Sequence, residues 1–222
     1  MSGAEIIDLN CFSDEERLFE RFALDLQADG YSICPGALPP ALTQEICEQL
    51  YGLDQDEFSS AGIGRQNQHM KNEFVRTDRI CWFTGETETG RRWLDWADRL
   101  QTYLNRRLFM GLFSFESHLA HYGNGDFYKR HYDAFQNQRS RVLSMVVYLN
   151  QSWGPDDGGE LVLYREDVDQ EGIRVTPLMG TVVLFLSEEF PHAVLPAKRD
   201  RYSIAGWYRV NGSTPDRVDP PR

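Results

Sequence analysis

The chain has 222 residues, 41% apolar and 13% aromatic, enough to bury the core of one domain. Its 23 Lys and Arg against 34 Asp and Glu give a net charge of −11, so it lacks the basic surplus that grips nucleic-acid phosphates. The longest apolar runs, Val142 to Leu149 and Thr181 to Leu186, fall well short of the ~20 residues of a membrane-spanning helix. The opening MSGAEIIDLN is acidic where an export signal is basic. Cys11, Cys34, Cys47 and Cys81 form no C-x-x-C pair, which predicts reduced thiols in the cytoplasm rather than a disulfide frame or zinc site.

In chain order, Ser13-Asp14-Glu15-Glu16 is a capping-box pattern, and Leu18, Phe22 and Leu26 then recur at helical spacing up to Gly30. A short strand is expected at Tyr31 to Cys34, and a second helix from about Ala41 to Tyr51 with Ile46 and Leu50 on one face. Ser59 to Lys71, rich in Gly, Gln and Asn, reads as an irregular loop. From Arg91 to Leu108 an apolar stripe of Trp93, Trp96, Ala97, Leu100, Leu104 and Leu108 predicts a helix covering the core. After Gly111 the period changes to near two, and sheet is expected to begin there. The runs are Phe113 to Tyr122, Tyr128 to Asp133, Val142 to Leu149, Glu160 to Arg165, Thr181 to Leu186 and Tyr202 to Val210. Asn124-Gly125 and Asp157-Gly158-Gly159 supply tight turns. The pattern predicts an α+β single domain over 1–222. Helices over about 10–110 support a jelly-roll or sandwich over about 111–210, followed by a frayed tail at 211–222.

The chemistry concentrates in the β half. Alternation turns His131 and Asp133 of His131-Tyr132-Asp133 to one face, and His192 follows the turn at Phe190-Pro191, where an adjacent strand brings in a third ligand. Two imidazoles and one carboxylate on one face of an octahedron leave three positions open, as in non-haem Fe(II) oxygenases. The plainer reading is a hydrogen-bonded strand histidine beside an aspartate. Arg201, Ser203, Ala205 and Trp207 share a face, as do Val142, Ser144, Val146 and Tyr148. An arginine aimed into a barrel needs an anion. Either Asp200 or Glu188 pairs with Arg201, or a bound dicarboxylate does, with Tyr148 donating its hydroxyl or merely filling core. Of the other histidines, His69 lies in the polar loop, His118 shares a strand face with Tyr122, and His121 points the other way.

The runs His121-Tyr122-Gly123-Asn124-Gly125, Arg130-His131-Tyr132-Asp133, Val147-Tyr148-Leu149-Asn150-Gln151-Ser152-Trp153, Gly158-Gly159-Glu160-Leu161, Pro191-His192-Ala193-Val194 and Arg201-Tyr202-Ser203-Ile204 resemble the 2-oxoglutarate- and Fe(II)-dependent prolyl hydroxylases. The likeness spans about Asp78 to Val210. It is strongest to the branch holding the oxygen-sensing prolyl hydroxylases of animals and their bacterial relatives, some of which modify elongation factor Tu.

The resemblance implies a double-stranded β-helix, a cupin-like barrel, with Fe(II) on His131, Asp133 and His192. Arg201 and Tyr148 would bind the distal carboxylate of 2-oxoglutarate, Tyr122 would line that pocket, and Ser144 is counted with them. Trp207 matches a tryptophan near the target proline, and Asp78 and Arg141 match a charged pair at the substrate entrance. The loop from about Gly62 to Arg79 covers polypeptide substrate in that branch and differs here in length and composition. The implied partners are O2 and a protein bearing the target proline, elongation factor Tu being a candidate, with ascorbate as a reductant. Succinate and CO2 would leave. Against this stand a small-molecule oxygenase with the same iron site and a non-oxidative cupin-like isomerase or binding protein.

Overall fold

A computed structural model describes residues 13–60, 75–134 and 140–212. Expectations for Met1 to Asp8, Cys11, His69, most of the Gly62 to Arg79 loop and the tail beyond 212 lie outside these residues.

Helix α1 (Asp14–Asp29) starts at the expected capping box: the Ser13 hydroxyl accepts from the Glu16 N–H at 3.2 Å, and the Glu16 carboxylate accepts from the Ser13 N–H at 2.9 Å. It stops at Gly30, whose φ of 77° lets its N–H close onto the Leu26 carbonyl. Helix α2 (Pro40–Gly52) begins on a proline at its first position and buries Ile46 and Leu50. Helix α3 (Glu88–Leu108) starts at Thr87 and buries the whole stripe from Trp93 to Leu104. Glu20 of α1, buried, accepts from both Tyr103 (2.8 Å) and Arg107 (3.1 Å) of α3, tying the two helices together.

The strands are β1 (Tyr31–Cys34), β2 (Ser59–Ser60), β3 (Arg79–Trp82), β4 (Ser114–Tyr122), β5 (Tyr128–His131), β6 (Arg141–Tyr148), β7 (Leu161–Leu163), β8 (Ile173–Val175), β9 (Val182–Leu186), β10 (His192–Val194) and β11 (Arg201–Arg209). They form an antiparallel seven-stranded sheet, β1-β9-β6-β11-β4-β3-β2, and a four-stranded sheet, β5-β10-β7-β8. The sheets face each other as a double-stranded β-helix, with the three helices on the outer face of the larger one.

β1 is the short strand expected at Tyr31 to Cys34, but the main sheet does not wait until after Gly111: β2 and β3 come earlier, and the first two residues of the expected polar loop pair with β3. Residues 79–82 show no apolar alternation because β3 is only part-buried and its partner β2 is two residues long. The strand expected to run to Asp133 stops at His131, and Asp133 occupies a bend.

Pleating divides the larger sheet into two cores. Phe115, Leu119, Leu143, Met145, Val147, Val182, Leu184, Ile204 and Tyr208 pack outward on Phe19, Phe22, Trp93, Trp96 and Leu100. Two hydrogen bonds fasten that face to α3: Trp93 Nε1 to Ser117 Oγ at 2.9 Å, and Tyr208 Oη to the Ala97 carbonyl at 2.9 Å. The alternate residues, Ala120, Tyr122, Tyr148, Val183 and Phe185 among them, face the smaller sheet.

Candidate metal centre and diacid pocket

His131 on β5 and His192 on β10 are direct partners across the antiparallel ladder, so the pairing of two short strands places the imidazoles side by side, ring centroids 4.2 Å apart. Asp133 reaches the same point from the bend after β5. Its Oδ1 lies 3.6 Å from His131 Nε2 and its Oδ2 3.5 Å from His192 Nε2. One donor atom from each residue falls within 4.8 Å of the others, a grouping able to hold a metal ion. Both rings are aimed by a backbone carbonyl: His131 Nδ1 donates to Lys129 O at 2.7 Å and His192 Nδ1 to Phe190 O at 3.1 Å. A carbonyl only accepts, so the proton sits on Nδ1 and the Nε2 lone pair faces Asp133. Burial pulls His192 down to about 4, holding it neutral, the form a metal requires. Burial alone would raise the Asp133 carboxyl, but His192, His131 and Arg141 hold it well below the usual carboxylate range.

On β11 of the larger sheet lies Arg201, 1% exposed. Its Nε donates to the Gly159 carbonyl at 2.8 Å and its Nη1 to Ser203 Oγ at 3.1 Å, and the guanidinium stands over the rings of Tyr122 (4.8 Å) and Tyr148 (5.1 Å). Gly159 has φ +68°, and a Cβ there would lie 3.0 Å from Arg201 Cδ, so glycine is what lets this carbonyl reach the guanidinium. Neither acid considered for Arg201 pairs with it: Asp200 bonds His121 at 2.9 Å, and among the described residues no carboxylate forms an ion pair with Arg201. The Tyr148 hydroxyl is likewise buried without a hydrogen-bond partner among them, and burial pushes it up to about 12 despite the nearby Arg201. A buried cation lacking an anion, beside an unpaired hydroxyl donor, fits one end of a dicarboxylate.

Two expectations meet a different arrangement. Ser144, counted with the cosubstrate residues, donates instead to Asp133 Oδ2 at 2.7 Å, because its register with Trp207 and Phe185 sets it at the level of the triad rather than that of Arg201. Asp78 and Arg141 do not pair. Arg76 takes both oxygens of the buried Asp78 (2.7 and 2.5 Å), and Arg141 bonds Glu116 at 2.8 Å while lying 3.7 Å over the Trp207 ring. Arg76 and Asp78 lie two apart on the approach to β3, and Glu116 faces Trp207 directly across β4 and β11, so each acid finds a nearer cation.

Arg76, Glu116, Tyr128 and Ser187 were not singled out from the sequence. Glu116 shares the inward set of His118 and Tyr122 on β4, so alternation would have found it. Tyr128 stacks on His131 at 3.5 Å, and the Arg76 guanidinium lies 4.4 Å from its ring centroid. His118 is buried between Trp82 (5.2 Å) and Trp207 (5.3 Å), and burial takes its pKa down to about 3.

The 2OG-Fe(II) oxygenase superfamily matches residues 117–209. Among solved structures, the chain is similar to a prolyl-4-hydroxylase from Pseudomonas putida, with 36% identity over 88% of this chain and 100% of that one and a TM-score of 0.76. It is also similar to a prolyl hydroxylase from Trichoplax adhaerens solved in complex with a hypoxia inducible factor oxygen degradation domain peptide fragment. There the identity is 27% over 88% of this chain and 90% of that one, with a TM-score of 0.77. A prolyl 4-hydroxylase of Phytophthora capsici shares the fold at a TM-score of 0.63 and 24% identity, covering 90% of this chain and 66% of that one.

Proposed function

The chain belongs to the 2-oxoglutarate- and Fe(II)-dependent oxygenase superfamily, in its prolyl-hydroxylase family, and from that premise we propose that it hydroxylates C4 of a prolyl residue in a protein substrate, releasing succinate and CO2. The observation that carries the reading is the pairing of His131, Asp133 and His192 at one level of the barrel with, at another, a buried Arg201 that meets no carboxylate and a Tyr148 hydroxyl without a hydrogen-bond partner among the described residues. A metal-only cupin has no use for the second group.

His131, Asp133 and His192 would hold the iron, and bound Fe(II) with 2-oxoglutarate and O2 would supply the oxidation that inserts oxygen into a C–H bond. The protein's own work is placement. The carbonyls of Lys129 and Phe190 keep both imidazoles in the ligating tautomer. Arg201 and Tyr148 fix the far carboxylate of the cosubstrate, and the two tyrosine rings under the guanidinium partly offset the cost of its burial. Leu161, Leu163, Val183, Phe185 and Val194 line the space between the sheets and keep water from the reacting centre. Trp207, with Arg141 held across it by Glu116, offers a flat wall for the target ring, and Asp78 with Arg76 frames the approach.

The match to the Pseudomonas enzyme over its whole length supports a prolyl target, and the peptide in the Trichoplax complex supports a polypeptide one. Elongation factor Tu is the first candidate to test, with ascorbate as reductant. The free thiols of Cys34, Cys47 and Cys81 support the cytoplasm as the place of action.

The deciding experiment incubates protein, Fe(II) and 2-oxoglutarate in air with prolyl peptides or with free proline, measuring succinate and the mass of each acceptor. We expect peptide-dependent succinate, one added oxygen on proline, and a hydrolysate that co-elutes with 4-hydroxyproline. In Asp133→Ala, turnover should fall by roughly 10³-fold or more, about 4 kcal/mol of barrier. Oxygen gained by free proline alone would sink the polypeptide assignment, and 2-oxoglutarate left intact would sink the oxygenase.

A further inference from the structure

The two histidines of the triad are fixed twice, by the pairing of β5 with β10 and by their Nδ1 hydrogen bonds. Asp133 is fixed by neither. It lies past the end of β5 in a bend, outside the ladder, so the direction of its carboxylate must come from a side chain.

Ser144 Oγ lies 2.7 Å from Asp133 Oδ2 and 2.9 Å from Ser187 Oγ, and both serines are buried. Proton counting sets the direction of this chain. Ser144 Oγ donates to Asp133 Oδ2, and that bond uses the one hydrogen a serine hydroxyl carries. Ser144 therefore accepts from Ser187. The distance is that of a charge-assisted O–H···O⁻ bond, and a chain of two hydroxyls polarises toward the charge at its end. Ser187 is itself anchored, its N–H donating to the Val142 carbonyl at 2.9 Å, two residues from Ser144 on the same strand. Phe185 and Trp207, the cross-strand partners of Ser144, flank it on either side.

We propose that Ser187 and Ser144 form a hydrogen-bond relay that sets the orientation of Asp133 and occupies its Oδ2, so that the carboxylate serves the metal through one oxygen and leaves the remaining positions open. The inference rests on the reading of the triad as a metal site. Both serines are positioning residues, acting on the metal only through Asp133. Removing the Ser144 hydroxyl frees Oδ2 and lets the carboxylate turn.

The test loads the full-length protein anaerobically with Co(II), without 2-oxoglutarate. Affinity is measured by titration and ligand geometry by the visible absorption of the bound ion, with thermal midpoints alongside. Wild type should bind one Co(II). Ser144→Ala should weaken it by about 10–100-fold and change the absorption band while melting with the wild type. Ser187→Ala should show a smaller loss in the same direction, and Ser144→Thr, which keeps the hydroxyl, should stay close to the wild type.

Ser144→Ala affinity within about twofold of the wild type, with an unchanged band, overturns the relay, since a loss at such a position is normally tenfold or more. If Ser144→Ala melts early, Ser187→Ala decides, because its hydroxyl is linked to Asp133 only through Ser144: unchanged cobalt binding there overturns the relay too. A wild type that takes up no cobalt overturns the metal site itself, and the relay with it.

Discussion

The two faces of the seven-stranded sheet are built from alternate residues of the same strands, yet they obey different rules. Toward the helices, β4, β6, β9 and β11 present Phe115, Leu119, Leu143, Met145, Leu184 and Ile204, almost entirely carbon. Toward the smaller sheet the same strands present Glu116, His118, Tyr122, Ser144, Tyr148, Arg201 and Ser203, polar groups that are nearly as buried. The helical face gains stability from apolar area withdrawn from water. The barrel face keeps groups that are costly to bury: Glu116 and Ser144 are answered by Arg141 and Asp133, while Arg201 and Tyr148 become favourable with a ligand in place. The difference teaches that stability and chemistry reside on opposite sides of one ladder, one residue apart, so each should be removable without the other.

The sharpest way to break that separation is from the helical side. Trp96 is buried against Phe19 and Trp93, with centroids 5.7 and 5.8 Å away. Trp96→Ala should cost about 3–5 kcal/mol of stability. Well below its lowered thermal midpoint, the variant should bind 2-oxoglutarate as the wild type does. A loss of cosubstrate affinity in the folded variant would mean the two faces are coupled.

From the barrel side, Arg201→Met removes the cation while keeping an unbranched stem beside Gly159. The affinity for 2-oxoglutarate should drop by roughly 10²–10³-fold, since truncating one partner of a buried charge pair costs a few kcal/mol. The thermal midpoint of the cosubstrate-free protein should hold or rise, because an uncompensated buried charge has gone. Isothermal titration and melting of the same preparation read both, and a lowered midpoint in the cosubstrate-free variant would place Arg201 among the residues that stabilise the fold.

The same alternation governs what could be read from the sequence. Helix spacing located Trp93, Trp96 and Leu100, and strand period placed Arg201 with Ser203 and Tyr148 with Ser144, because these patterns repeat every 3.6 or two residues. The strand period also put His131 and Asp133 on one face, the turn at Phe190-Pro191 pointed to His192, and the family likeness agreed with both. What stayed hidden depends on register between distant strands: that Glu116 meets Arg141, that Arg76 rather than Arg141 meets Asp78, and that Ser187 meets Ser144 across 43 positions. Short or one-sided strands such as β3 and β8 carry too few residues to show a period. Asp133 reaches the site by the same position that alternation predicts, but through a bend rather than a strand.

Acid separates the faces most gently. His118 sits on the barrel side between Trp82 and Trp207, and burial, helped by Arg76 and Arg141, holds its folded pKa near 3, against ~6.5 for an unfolded imidazole. The unfolded chain thus binds a proton that the folded one refuses, so this group's contribution is complete above pH ~6.5 and drains away as pH falls toward its folded value. Between pH 7.5 and 5.0 the loss from one such histidine is about 2 kcal/mol. His192, held near 4, contributes a similar loss over the same interval. His118→Met keeps the volume and removes the proton site, so its stability should fall by about 2 kcal/mol less than that of the wild type over that interval. Denaturant unfolding of both proteins at the two pH values measures the difference. Parallel losses would mean that His118 already takes up a proton in the folded barrel, and that this face is wetter than the ring contacts imply.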